Sequence, residues 1–376
     1  MTRHSLRRGL GLCACLILAG ASASRADAGR PQDARTAVIV SPEKIVQYLR
    51  DRFGFPDSVK VTAQPLAASE FAHFLKTTFT TDDGKEKRAN NVFISSDGRC
   101  FVVGNLFALR EGSTDELIHC IREAAKLPSQ ISVKVGVFEK TPYPQLRKSV
   151  ITASDGKRTQ TADVFVTTDR RTGILGTVLP FREDVVRGMI KTSGMPSQGP
   201  SDAPVTIVEY ADLQCGYCAR MQEFVEKQLL PKYGDKVRFV FKEFLIPGHD
   251  WSPTAAAANE CGFEINPPAF ATYRSLIFAN QNFINAENVR ERLLELGADA
   301  GVDRQKLAAC MDSKAALPRI EATRQEAADL GIHGTPTLFV NGRIVVGPRS
   351  EAAFYKIVDD ALQASATRTI KKNATP

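Results

Sequence analysis

The sequence predicts a C-terminal α/β domain with a helical insertion, preceded by two tandem α+β repeats, each a helix on an antiparallel sheet. Three observations predict it. Residues 43–111 align without a gap on residues 115–183. A buried-strand pattern, Val205 to Tyr210, runs through Ala211-Asp212-Leu213-Gln214 into Cys215-Gly216-Tyr217-Cys218 and a helical pattern from Ala219 to about Lys232. Farther on, helical spacing from about 253 to 331 gives way to two short strand patterns joined by Asn341-Gly342.

The chain has 376 residues, room for two or three domains. At 24% charged and 43% hydrophobic it is neither a disordered chain, nor collagen, nor a membrane bundle. Its formal charge of +7 is spread along the chain without basic clusters interleaved with aromatics, so nucleic acid is not an expected partner. Arg3, Arg7 and Arg8 precede an apolar run from Leu10 to Gly20 and the small residues Ala21, Ser22 and Ala23, the pattern of a secretory signal peptide over residues 1–28. Cleavage is expected after Ala23 or Ala28, which places the protein in the periplasm. Disulfides persist there. Six cysteines then remain: Cys100, Cys120, Cys215, Cys218, Cys261 and Cys310.

In the repeat, 15 of 69 positions are identical, against roughly four for unrelated chains, so the register is not accidental. Copy one (40–112) and copy two (113–190) each open with a helical pattern, Ile45, Val46 and Leu49 or Leu117, Ile118 and Ile121, closed near Pro56 or Pro128. Strands follow at 74–80, 91–95 and 101–106, with Asp83-Gly84 and Asp97-Gly98 as turns. Asp155-Gly156-Lys157 repeats Asp83-Gly84-Lys85, and Gly176 repeats Gly104. A unit of about 70 residues buries a limited share of its surface, so pairing of the two copies is favoured. Phe79-Thr80-Thr81-Asp82-Asp83-Gly84-Lys85 and Asp97-Gly98-Arg99, after a helix, a proline and a strand, resemble the N-terminal dimerisation domain of periplasmic disulfide isomerases related to DsbC. The resemblance implies a cystatin-like helix on a sheet. Those proteins carry one copy per chain and pair it with a partner chain; two copies here leave open an internal pseudo-dimer or a homodimer.

A Gly-, Pro- and Ser-rich stretch, 191–203, reads as a linker to a domain at 204–365, and 366–376 as a disordered tail. A strand leading into Cys-x-x-Cys at a helix start is the thioredoxin redox arrangement. Positions i and i+3 of a helical turn bring two sulfurs together, and the helix N-terminus stabilises a thiolate on the first. Cys215 is the expected nucleophile and Cys218 the resolving thiol. One such pair supplies only two ligands of the usual four, so no metal is expected, and no cofactor.

With these motifs, residues 200–365 resemble the DsbA-like branch of thioredoxin-fold oxidoreductases, whose helical insertion corresponds to 253–331. The resemblance implies that Pro336, in Gly334-Thr335-Pro336-Thr337, is a cis-proline beside the redox pair and that Thr335 offers its backbone to a client strand, with Gly216 and Tyr217 also touching the client. It implies that Glu209, six residues before Cys215, is a buried proton acceptor for Cys218; an exposed edge-strand glutamate is the alternative. It implies a structural disulfide between Cys261 and Cys310. Cys100 and Cys120 flank the junction of the repeats and form a second candidate pair. Phe270, Tyr273, Leu276, Ile277 and Phe278 read as insertion core, and His249 and His333 receive no role.

The expected function is that of a thiol:disulfide interchange protein acting on unfolded or misoxidised secreted proteins, with a membrane thiol–disulfide redox partner. Gly216-Tyr217 is the dipeptide of DsbC-type isomerases and, with the repeats, points to reduction or isomerisation, whereas the insertion points to a DsbA-like dithiol oxidase. A periplasmic chaperone or docking protein with a secondary redox site is the remaining alternative.

Overall fold

The computed structural model describes residues 40–346 and 350–373; the expected signal peptide lies outside them. The described residues divide into two compact units, residues 40–46 with 58–178 and residues 47–57 with 179–346 and 350–373.

The first copy consists of α1 (Pro42–Phe53), β1 (Lys60–Ala63), β2 (Ala67–Ala68), β3 (Phe74–Asp82), β4 (Lys87–Ser95) and β5 (Cys100–Ala108). Every one of these recurs 72 residues later as α2 (Thr114–Ala125), β6 (Ser132–Val135), β7 (Glu139–Lys140), β8 (Leu146–Ser154), β9 (Thr159–Thr167) and β10 (Thr172–Pro180). The local chemistry recurs too. Asp83 Oδ1 accepts from the Lys85 and Glu86 amides and Asp155 Oδ1 from those of Lys157 and Arg158, closing the same turn twice. Ser95 and Thr167 each accept from the amide five residues on, at 3.0 Å, and donate to Asp97 or Asp169 at 2.6 Å. Helix α2 is capped by Ser113, which accepts from the Glu116 amide, while the Glu116 carboxylate accepts from the amides of Arg110, Glu111 and Gly112. Its buried Leu117 and Ile121 pack on Ile151, Val164 and Val166.

The two copies share one ten-stranded sheet, with β5 hydrogen-bonded to β10 in the order β1-β3-β4-β5-β10-β9-β8-β6. At the junction the aligned glycines face each other. A Cβ on Gly104 would stand 2.5 Å from the Leu175 carbonyl oxygen and 2.7 Å from Gly176 Cα, and one on Gly176 2.3 Å from the Val103 carbonyl oxygen. Both have φ in the positive range, +145° and +159°, so only glycine allows this approach. The copies are thus paired within the chain, one of the two arrangements the sequence left open.

Four sequence expectations change here. Cys100 and Cys120 are free thiols. Cys100 is sealed at the start of β5, where burial pushes its thiol up to about 12, while Cys120 on α2 packs against the hydrophobic layer of the second copy. The 191–203 linker is part of the C-terminal unit: β11 (Ser197–Gln198) pairs with an edge of its sheet, the Lys191 amide donates to Glu326 and Arg238 donates to the Thr192 carbonyl. The tail is helical through Asn373. Gln47–Asp57 also belongs to that unit: Tyr48 donates to the Pro180 carbonyl, Asp51 pairs with Arg343 at 2.7 Å, and Arg52 donates to the Leu330 carbonyl at 2.8 Å.

After α3 (Glu183–Met189), the C-terminal unit is built on β12 (Val205–Ala211), β13 (Val237–Glu243), β14 (Thr337–Val340) and β15 (Arg343–Val346), in the order β11-β13-β12-β14-β15. β12 and β13 are parallel; the other pairs are antiparallel. β12 and β13 read as near-continuous apolar runs because both faces are covered. α4 (Gly216–Phe224) continues through a wide π turn into α5 (Leu230–Tyr233) and, with α11 (Glu351–Asn373), packs on one face. The insertion comprises α6 (Ser252–Ile265), α7 (Phe270–Ala279), α8 (Val289–Asp299), α9 (Arg304–Ser313) and α10 (Leu317–Asp329). Its core, around Tyr273, Ile277, Leu293 and Leu307, includes Cys218.

Placing a methyl group at the glycine junction forces the paired backbones apart. Gly104→Ala is expected to lower the stability of the N-terminal unit by about 1–3 kcal/mol, whereas Gly84→Ala, whose Cβ would meet nothing within 4 Å, costs only its backbone strain. Urea midpoints of the two variants, followed by circular dichroism, check this.

Candidate redox site

β12 delivers the chain to the site and Asp212 turns it. The Asp212 carbonyl accepts from the Cys215 amide at 3.0 Å. Its buried carboxylate accepts from the amides of Gln214 at 2.7 Å and Ile246 at 2.8 Å, and His249 Nδ1 lies 3.0 Å away. Gln214 Oε1 accepts from the amides of Trp251 and Ser252, tying the turn to the start of α6. From the insertion, Gln281 Nε2 donates to the carbonyls of Leu213 at 2.7 Å and Cys215 at 3.2 Å. Both ends of the redox turn are braced.

Cys215 is the N-cap of α4, half-buried, and Cys218 is wholly buried one turn in. Hydrogen bonding with Cys218 and Thr335, and with the backbone amides of Cys218 and Tyr217, holds the Cys215 thiol down at about 5, against the opposing effect of burial. Burial pushes Cys218 far up, and the charge of Glu209 adds to it. Two thiols one turn apart therefore differ sharply in proton affinity: at neutral pH Cys215 is a thiolate and Cys218 a thiol. The Thr335–Pro336 peptide bond is cis, and the Thr335 carbonyl oxygen lies 3.8 Å from Cys215 Sγ. Tyr217 is 64% exposed, with the Arg220 guanidinium over its ring at 4.4 Å. Gly216 opens the helix with nothing within 4 Å of its missing Cβ.

Glu209 is buried on the central strand, not exposed at an edge. Its Oε2 lies 3.3 Å from Nη2 of Arg274, itself fully buried on α7, while its Oε1 is without a hydrogen-bond partner. Burial raises its carboxyl, and Arg274 opposes that rise. Sequence reasoning missed Arg274 and Glu243. Arg274 stands at i+4 from Phe270 and i−4 from Phe278, two residues read as core, so its place on the buried face of α7 was available from the spacing. A cation there required a buried anion. Glu243 lies in a segment, Val237–Glu243, that the sequence reading left without an element, and it carried no such signal. A disulfide joins Cys261 on α6 to Cys310 on α9. Among the described residues no group of His, Cys, Asp or Glu is arranged to hold a metal, and no helix is long and apolar enough to cross a membrane.

Residues 191–360 match the family model described as thioredoxin, in keeping with the fold of the C-terminal unit. Disulfide bond formation protein D of Bacillus subtilis is 27% identical over 166 residues, 43% of this chain and 74% of that protein. A Na(+)/H(+) antiporter NhaA of Herminiimonas arsenicoxydans is 31% identical over 173 residues, 46% of this chain but 26% of the antiporter. The chain thus spans about a quarter of the length of the antiporters it matches. Among solved structures, oxidised BdbD of Bacillus subtilis aligns with a TM-score of 0.43 and 23% identity, covering 46% of this chain and 95% of that one. α-DsbA2 of Wolbachia pipientis, a thiol-disulfide exchange protein, gives 0.42 and 21%, over 48% and 97%.

Two measurements follow. Alkylation of the fully reduced protein by iodoacetamide is expected to rise with pH through an inflection near 5 as Cys215 loses its proton, with Cys218 unmodified up to pH 9; peptide mapping separates the two thiols. Replacing both Cys261 and Cys310 by Ala removes a loop constraint and is expected to cost about 2–4 kcal/mol in chemical unfolding, with the alkylation inflection unmoved.

Proposed function

We propose that this DsbA-like thioredoxin-fold domain makes the protein an exported, periplasmic thiol:disulfide interchange protein acting on unfolded or misoxidised secreted proteins. The observation that carries the reading is the unequal pair: a thiolate at the mouth of a helix and a sealed thiol one turn behind it. Cys215 attacks a client disulfide and forms a mixed disulfide. Cys218 then attacks Cys215 Sγ, Glu209 takes the Cys218 proton, and the client sulfur leaves as a thiolate. Electrons pass from the Cys215–Cys218 dithiol to the client; the reverse sequence oxidises it. A client strand laid beside Thr335 brings its sulfur to Cys215, with Gly216 and Tyr217 against its flank.

Gly216-Tyr217 and the paired N-terminal copies support reduction or isomerisation, with the ten-stranded sheet as the surface that holds a client. One observation supports the second reading, a dithiol oxidase. A thiolate held at about 5 stabilises the reduced protein, and a stable reduced form makes the disulfide form a stronger oxidant. In either direction a membrane thiol–disulfide partner resets the dithiol.

Cys218→Ser is expected to accumulate mixed disulfides between Cys215 and secreted proteins, visible as reducible high-mass bands absent from the Cys215→Ser, Cys218→Ser double variant. No trapped species would overturn the reading. Thiol labelling in cells decides direction: a reduced pair marks a reductase or isomerase, an oxidised pair an oxidase.

A further inference from the structure

The two carboxylates buried beneath the redox turn compete for one cation. Glu209 lies on β12 and Glu243 at the end of β13; in the parallel register Glu209 faces Phe241 and Ala211 faces Glu243, so both side chains project from the same face. Arg274 enters that face from α7, its Nη2 3.3 Å from Glu209 and its Nη1 3.2 Å from Glu243. Its Nε donates to Gln222 Oε1 at 3.2 Å, and its guanidinium lies over the rings of Phe241 and Phe278 at 4.7 and 5.0 Å. Asn259 donates to Glu243 at 2.7 Å. Each carboxylate leaves one oxygen unpartnered, Glu209 Oε1 and Glu243 Oε2. One guanidinium compensates one carboxylate. Leaving both ionised strands a full negative charge away from water, so the pair readily takes up a proton and as readily gives it back.

We propose that Glu243 is a positioning residue for the redox step: by drawing on the charge of Arg274 it keeps Glu209 able to hold a proton near neutral pH, and so able to exchange one with Cys218. This rests on the interchange reading. When the mixed disulfide resolves, the Cys218 proton moves to Glu209 and the Cys218 thiolate forms the new S–S bond. The old bond between Cys215 and the client breaks with its electron pair on the client sulfur. The cluster is then neutral, Arg274 paired with Glu243 and Glu209 protonated. In the opposite direction Glu209 returns the proton to Cys218 as that sulfur leaves. Without Glu243, Arg274 would bind Glu209 alone and hold it ionised, a poor donor.

Other charged and titratable groups packed against the cluster are Cys215 and Cys218 on α4, Asp212 with His249, Glu260 on α6 with Arg319 at 2.9 Å, and Lys242, the neighbour of Glu243 on β13. Asp212 and Glu260 are negative and push Glu243 the same way as burial does.

The test titrates the protonated carboxyl band of the oxidised protein by infrared spectroscopy, assigned to Glu209 by its loss in Glu209→Gln. Glu243→Gln is expected to move the midpoint acidward by about one unit or more, because a like charge is removed and an opposite one freed. Asn259→Leu, which removes only the amide donor to Glu243, is expected to move it the same way by less and serves where Glu243→Gln does not fold. Single-turnover oxidation of a reduced peptide should lose rate in Glu243→Gln above the new midpoint. An unmoved or basic-shifted midpoint in a folded variant overturns the proposal even where Cys218→Ser traps clients. An acidward midpoint with no trapping overturns the interchange reading instead.

Discussion

A sulfur anion half out of water at the head of a helix has to be held by donors that are in place before it forms. Here the donors are backbone amides of the first turn of α4 and the Cys218 thiol, and the surrounding parts of the C-terminal unit hold them in place. β12 and the Asp212 turn aim the helix start. Two residues before β14, the Thr335 carbonyl oxygen lies 3.8 Å from Cys215 Sγ as an acceptor for the thiol. The insertion braces the turn through Gln281 and receives Gln214 at the start of α6. Preorganisation of this kind matters because donors that had to rotate into place would give back much of the stabilisation as lost conformational freedom.

The parts of this arrangement that depend on chain order were legible in the sequence. A strand, a Cys-x-x-Cys and a helix are contiguous, and the repeat shows itself through an offset that every element obeys, down to the Asp-Gly turns and the glycines at 104 and 176. Those glycines illustrate the limit: the alignment shows that they match, but not that they face each other across β5 and β10. Parts that depend on the third dimension were hidden. Cys100 and Cys120 lie near each other along the chain and belong to different packing layers. The Gly-, Pro- and Ser-rich stretch has a linker's composition, yet contributes a short edge strand, because main-chain pairing at an edge asks little of side chains. Residues 47–57 were read with their own helix, and the bonds of Tyr48, Asp51 and Arg52 place them with the C-terminal unit.

Duplication answers a size problem. A copy of about 70 residues on its own leaves a large fraction of its surface wet and one edge of its last strand unpaired. Joining β5 to β10 removes two edges at once and makes one sheet of ten strands from two small ones. The requirement is that two backbones meet closely enough to bond, which is why the positions at the crossing lack side chains in both copies. What duplication gives this chain is a sheet that is complete within a single polypeptide.

The sheet of the C-terminal unit carries buried charge on both faces, and the contrast between them locates the chemistry. Lys242 and Glu243 are consecutive on β13 and point to opposite sides. Toward α10, Lys242 meets Glu326 at 2.6 Å and Tyr210 donates to the same carboxylate, so that one cation faces one anion and the balance is closed. Toward α7, one cation faces two anions. A balanced buried pair leaves no charge without an opposite partner. An unbalanced triad is already short of one positive charge and can supply it with a proton. The imbalance lies on the face that also holds Cys218, so the strand separates a balanced ion pair from an unbalanced triad by a single residue of alternation.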